Sequence, residues 1–91
     1  MGKHKLGRSK EYLAYIRTLE CCVCRRMPVE PHHVGAGGVG LKGSDFTAVP
    51  LCRTHHREVH DTGQQTFQER YVRFSDVIAM VLVEWCDRRL V

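Results

Sequence analysis

Cys52-Arg53-Thr54-His55-His56-Arg57-Glu58-Val59-His60 carries two overlapping ligand pairs. Cys52 and His55 form a C-x2-H pair, and the next residue opens a second pair, His56 and His60, at i, i+4. Each has a counterpart upstream: Cys21-Cys22-Val23-Cys24 supplies a C-x2-C pair, and His32-His33 supplies two adjacent imidazoles. Zinc takes four thiolate or imidazole ligands in a tetrahedron. Cys21, Cys24, Cys52 and His55 therefore predict a structural Zn²⁺ site, with Cys22 superfluous to that geometry and Cys86 far away in the chain. The 27 residues between Cys24 and Cys52 exceed the gap of a simple zinc ribbon, so a long excursion must leave the site and return. A metal held in this way supplies folding free energy on the order of 10 kcal/mol in small zinc domains.

The excursion carries the other set. His56 and His60 project from one face of a helix, and the zinc ligands at its start fix where they point. Adjacent residues of a strand face opposite sides, so one of His32 and His33 can join His56 and His60 on a metal while its neighbour does something else. Three protein ligands leave open positions, which catalysis requires and a structural site does not. The helix reads His-Arg-Glu-Val-His, with Glu58 two residues after the first histidine. The HExxH arrangement of zinc peptidases places it one residue after, so a metallopeptidase is disfavoured. The glycine-rich Gly35-Ala36-Gly37-Gly38-Val39-Gly40 is not followed by a G-K-[ST] triplet and is no nucleotide-binding loop.

Working outward, Ser9 is a candidate N-cap for a helix over about 10–19, with Tyr12, Leu13, Tyr15, Ile16 and Leu19 as its apolar stripe. Cys21 to Met27 reads as a tight knuckle, Val29 to Val34 as a short strand, and the glycine run as a loop. Thr47 to Leu51 reads as a second strand. Helices follow over about 53–61, closed near Gly63, and about 64–72, and Ser75 is expected to cap a last helix over about 76–89. The expected fold class is α+β: a small zinc-stapled core of two short strands and a helix, flanked by N-terminal and C-terminal helices. Phe67, Tyr71 and Phe74 with Ile78, Val81, Leu82 and Trp85 form the expected shared core. The last helix is apolar on more than one face, which suits packing against the first helix or a homodimer.

A chain of 91 residues is expected to be one domain, and one that small often needs a metal or disulfide staple. No apolar signal segment opens the chain, so five clustered or odd-numbered cysteines in a reducing, cytoplasmic setting read as metal ligands. The longest apolar run, Val77 to Val83, is too short to span a bilayer, so no membrane partner is expected. Net charge is +4, and Lys3, Lys5, Arg8 and Lys10 carry all of it, because the remaining ten Lys and Arg balance ten Asp and Glu. Residues 1–8 are read as a flexible basic arm suited to a phosphate backbone.

Taken together, these residues resemble the HNH endonucleases, whose core is the ββα-metal finger, and in particular the small HNH proteins of phages and prophages. The resemblance lies in Cys21-x2-Cys24, Glu30-Pro31-His32-His33-Val34, the glycine-rich connection to Gly43, Val49-Pro50-Leu51-Cys52 and the helix from Arg53 to His60. It spans residues 21–60, a little under half the chain. It implies that His33 is the general base, that His32, His56 and His60 hold one divalent ion (Mg²⁺, Mn²⁺, Ni²⁺ or Zn²⁺), and that DNA is cut to 5′-phosphate and 3′-hydroxyl ends. Arg53 and Arg57 are placed to grip flanking phosphates. One position departs from the pattern: the family's middle Asn, nine residues before the first helix histidine, is Thr47 here, with Ser44 and Asp45 as nearby polar substitutes. The competing expectation is a non-catalytic zinc-finger module that binds DNA or a protein partner.

Overall fold

The computed structural model describes residues 7–35 and 43–90. The order of elements is helix α1 (Lys10–Ile16), strand β1 (Val29–His33), a 3-10 turn (Asp45–Thr47), strand β2 (Ala48–Cys52), and helices α2 (Arg53–Thr62), α3 (Gln64–Arg70) and α4 (Phe74–Leu90). The chain is α+β, with one antiparallel two-stranded sheet followed directly by α2.

Ser9 caps α1 as expected, its Oγ accepting from the Tyr12 N–H at 3.0 Å. The helix stops at Ile16 and does not reach 19, because Thr18 and Leu19 bond back to Tyr15 and Ile16 in tight i→i−3 turns. Strand β1 ends at His33, one residue earlier than expected, and β2 runs one residue later, to Cys52. Their register pairs His32 with Val49, His33 with Ala48 and Pro31 with Pro50. Proline cannot donate to a ladder, and the Pro50 carbonyl instead accepts from the Cys22 N–H at 3.0 Å, which ties the cysteine knuckle to the sheet.

The core surrounds β2, all five of whose residues are buried. Tyr12, Ile16, Val49, Leu51, Val59, Phe67 and Phe74 are fully or almost fully buried. Helix α3 ends at Arg70, short of the expected 72. Helix α4 begins at Phe74 and not after Ser75, because the Gln68 side chain accepts from the Phe74 N–H at 2.8 Å and caps the helix from α3. Ser75 lies inside the first turn. Helix α4 buries Phe74, Val77 and Val81, with Ile78, Leu82 and Trp85 packed at the margin, while Met80 and Val83 face outward.

Tyr71 does not join this core as expected. It is 41% exposed, and its hydroxyl donates to Glu58, which also takes the Arg70 guanidinium at 2.6 Å. Glu58 is thereby spent on fastening α3 to α2. Among the described residues no helix is long and apolar enough to cross a membrane.

Candidate metal centres and histidine site

Two groups of metal-ligating side chains assemble around the start of α2. In the first, the ligand atoms of Cys21, Cys24, Cys52 and His55 all lie within 4.8 Å of one another. Cys24 Sγ is 3.7 Å from Cys52 Sγ, and His55 Nδ1 is 3.3 Å from Cys52 Sγ and 3.8 Å from Cys21 Sγ. A tetrahedron with metal–sulfur bonds of about 2.3 Å has sulfur–sulfur edges of about 3.8 Å, so the donor set fits a metal ion. Burial opposes ionisation of the Cys21 thiol, but backbone N–H groups of Cys24, Cys52 and Val23 outweigh it and bring its pKa down to about 7. The neighbouring Cys22 behaves oppositely: burial pushes its thiol up to about 12. Burial raises the Cys52 thiol as well, so it is position and not acidity that separates Cys22 from the cluster: its sulfur is not among the ligand atoms that converge.

The second group is His32, His56 and His60, whose ligand nitrogens also lie within 4.8 Å of one another. Strand alternation puts Glu30 and His32 on the face of β1 toward α2. Glu30 Oε1 accepts from His56 Nδ1–H at 2.7 Å, which leaves Nε2 with its lone pair. That bond also holds the Glu30 carboxyl below its ordinary value. His32 is 6% exposed, and burial, with the adjacent imidazoles, lowers its pKa, so it is held neutral as a ligand must be. Its Nε2 is 2.8 Å from Gln64 Oε1, while the Gln64 amide nitrogen donates to the Val34 carbonyl at 3.4 Å. That orientation makes Oε1 the acceptor and leaves His32 Nδ1 with the lone pair. Carboxylate, amide and carbonyl partners of this kind orient metal-binding imidazoles.

His33 points away from the trio, as strand alternation requires, and meets Asp45. Its Nε2 is 2.8 Å from Asp45 Oδ1. The same oxygen accepts from Arg8 Nη1 at 3.1 Å, and Oδ2 accepts from the Ser9 N–H at 2.7 Å. Burial raises the cost of charging Asp45, but the Ser9 N–H, His33 and Arg8 outweigh it and hold its pKa below the ordinary carboxylate value. The Thr47 hydroxyl makes no hydrogen bond to His33 among the described residues. Its Oγ1 donates to the Ser44 carbonyl at 2.7 Å and accepts from the Gly35 N–H at 3.3 Å, so it braces the two ends of the glycine loop. Gly43 closes that loop against Gly35 so tightly that any side chain at 43 would collide with the Gly35 backbone.

Of the basic residues singled out in the sequence, Arg53 and Arg57 are exposed and line a cleft of about 430 Å³ with Glu30, His56 and His60. Lys10 is exposed at the start of α1. Lys3 and Lys5 lie outside the described residues, as does most of the glycine run. Arg8 and Gly7 are not part of a free arm: Arg8 is paired with Asp45, and the Gly7 carbonyl accepts from the Asp45 N–H at 2.6 Å. Sequence reasoning gave no role to Gln64 or Glu30, and it named Asp45 only as a polar substitute near the missing Asn, not as the partner of His33. Glu30 was discoverable, since it stands two residues before His32 and so shares its strand face; Gln64 and Asp45 reach the site only through tertiary folding.

Fold and site together define a small α+β domain with a Cys3His donor cluster and a separate three-histidine cluster. Residues 1–84 match the family described as proteins of unknown function, DUF968, and the chain belongs to that family. It is similar to the uncharacterized protein YdfU of Escherichia coli (strain K12), 37% identical over 74 residues that take in 78% of this chain and 21% of that protein. The chain thus spans about a fifth of the length of that curated relative. No solved structure matches it.

Proposed function

We propose that this chain is a metal-dependent endonuclease or nickase of the HNH kind, hydrolysing phosphodiester bonds in DNA. The observation that carries the reading is the placement of His32, His56 and His60 within ligand distance of one another, beside a fourth histidine, His33, that is turned away from them and paired with a carboxylate. A structural centre has no use for a fourth imidazole held in this way. A hydrolytic site needs a neutral base that is not itself a ligand.

In this reading Cys21, Cys24, Cys52 and His55 hold a structural Zn²⁺ that staples the knuckle to the start of α2. His32, His56 and His60 hold a divalent ion, which when bound supplies positive charge to the scissile phosphate and to the departing 3′ oxygen. His33 accepts the proton of the attacking water as the new bond to phosphorus forms and the bond to the 3′ oxygen breaks. The products carry 5′-phosphate and 3′-hydroxyl ends. Arg53 and Arg57 flank the histidine cleft and bind neighbouring phosphates, and Lys3, Lys5 and Lys10 are the further basic residues proposed to contact DNA.

The test is nicking of supercoiled plasmid by the full chain with Mg²⁺, Mn²⁺ or Ni²⁺, comparing wild type with His33→Ala and His56→Ala. Metal-dependent nicking that both variants lose supports the reading. Equal nicking by wild type and His33→Ala removes the assigned base. A single tightly bound zinc per chain, no second ion at saturation and no cleavage would replace the nuclease by a zinc-stapled module that binds DNA or a protein.

A further inference from the structure

We propose that Asp45 is a positioning residue for His33, fixed in place by a strap of chain formed by Gly7, Arg8 and Ser9; the proposal rests on the hydrolytic reading of the histidine site.

Asp45 is 5% exposed and uses both carboxylate oxygens. Oδ1 faces His33 Nε2 at 2.8 Å and Arg8 Nη1 at 3.1 Å, and Oδ2 faces the Ser9 N–H at 2.7 Å. Its own N–H donates to the Gly7 carbonyl at 2.6 Å. A carboxylate can only accept. His33 therefore donates from Nε2, which in the neutral ring puts the lone pair on Nδ1, and the ring is held in one orientation. A base that is oriented before substrate arrives loses less when it engages the attacking water.

The strap is built for close approach. Gly7 has φ +80°, and a Cβ there would meet Ser44 Oγ at 3.1 Å and Ser44 Cβ at 3.2 Å, so both conformation and space call for glycine. Ser9 serves twice, its Oγ capping α1 and its N–H binding Asp45. Arg8, His33, Gly43 and Asp45 line a cleft of about 360 Å³. Two tasks are thus divided between neighbours in one 3-10 turn: Thr47 braces the loop backbone, and Asp45 orients the imidazole.

Two measurements test this. The first is steady-state plasmid nicking by wild type, Asp45→Ala, His33→Ala and the double variant, with metal content and thermal unfolding checked for each. Asp45→Ala is expected to lower kcat about 10-fold to 100-fold, part of the share a positioned base contributes, with KM unchanged. It should have no further effect in the His33→Ala background, since coupled residues are not additive. Equal loss in both backgrounds, or a loss confined to KM, overturns the proposal. The second measurement does not depend on cleavage. Imidazole ¹⁵N–¹H NMR of the full chain, with His33 assigned by comparison with His33→Ala, is expected to show Nε2 protonated and Nδ1 unprotonated, and the Nε2 proton lost to fast exchange in Asp45→Ala. A His33 protonated on Nδ1, or an Nε2 signal indifferent to Asp45, overturns the proposal. Should wild type not cut DNA, or His33→Ala cut it equally well, the hydrolytic reading fails and the NMR result alone decides the pairing.

Discussion

Glu30 of β1 accepts a hydrogen bond from His56 of α2, Oε1 to Nδ1, at 2.7 Å. One contact therefore joins the strand that carries His32 to the helix that carries His56 and His60. Because Nδ1 is engaged, Nε2 is the nitrogen available to a metal. Replacing Glu30 with Ala removes the hydrogen bond that fixes the ring and frees it to rotate. The expected result is a loss of affinity for the second divalent ion of about 10-fold to 100-fold, the usual effect of removing such a partner. Metal titration by calorimetry measures it, with the Cys3His ion retained as an internal control. Unchanged affinity would mean that Glu30 orients nothing.

The cysteine cluster makes a different prediction. On the four-ligand reading, Cys24→Ser removes one corner of the tetrahedron and Cys22→Ser removes none. Structural zinc contributes on the order of 10 kcal/mol, comparable with the usual whole stability of a domain this size. Cys24→Ser, or treatment of wild type with a strong zinc chelator, should therefore unfold the chain by circular dichroism. Cys22→Ser and Cys86→Ser should keep one zinc per chain and a cooperative melt. His56→Ala should likewise stay folded, since on this reading the Cys3His cluster and not the histidine cluster is the staple.

How much of this could be read in advance follows the range of the interactions. Ligand pairs at x2 and i+4 spacing are local, so Cys21, Cys24, Cys52, His55, His56 and His60 could be grouped before any folding was considered, and the structure brings each group together. The opposite facing of His32 and His33 follows from strand alternation alone. Contacts between distant segments were not legible: Gln68 capping α4 from six residues away, Arg8 reaching Asp45 across 37 positions, and Gln64 bonding His32 across 32. Ser75 illustrates the failure. It has the chemistry of a cap, but a tertiary acceptor starts the helix earlier. Tyr71 was assigned to the core on hydropathy and spacing, and its hydroxyl carried it to Glu58 at the surface.

Tyr12 offers a test of the core itself. Its ring is fully buried, 4.9 Å from Phe46 and 5.3 Å from Trp85 between centroids, yet its hydroxyl has no hydrogen-bond partner among the described residues. Burial, with Tyr15 and Cys86 nearby, raises its pKa to about 12. An unpartnered buried hydroxyl costs about 1–3 kcal/mol. Tyr12→Phe keeps the aromatic contacts and removes that cost. Its urea midpoint should rise, with the slope unchanged, by about 1 kcal/mol of added stability. A destabilised Tyr12→Phe would show that the hydroxyl is satisfied in solution.

Gly63 links the scaffold to the histidine site. Its N–H closes α2 on the Val59 carbonyl at 2.9 Å, and its own carbonyl accepts from the Phe67 N–H at 3.1 Å to begin α3. Between the two it adopts φ 88°, ψ 154°, a region essentially reserved for glycine. A Cβ at this position would meet nothing within 4 Å, so the cost of Gly63→Ala is one of backbone conformation and not of crowding. That cost is about 1–3 kcal/mol. Asparagine, which tolerates the left-handed helical region, should not rescue it, because ψ here lies far from that well. The next residue is Gln64, whose amide holds the His32 ring, so relaxation of the backbone at 63 should also loosen the three-histidine cluster. Gly63→Ala is expected to lower the urea midpoint and, on the proposed two-metal reading, to weaken metal binding at the three-histidine cluster while the Cys3His cluster keeps its ion. A variant that loses stability but binds the second ion as wild type does would uncouple α3 from the site and leave Gln64 as a bystander.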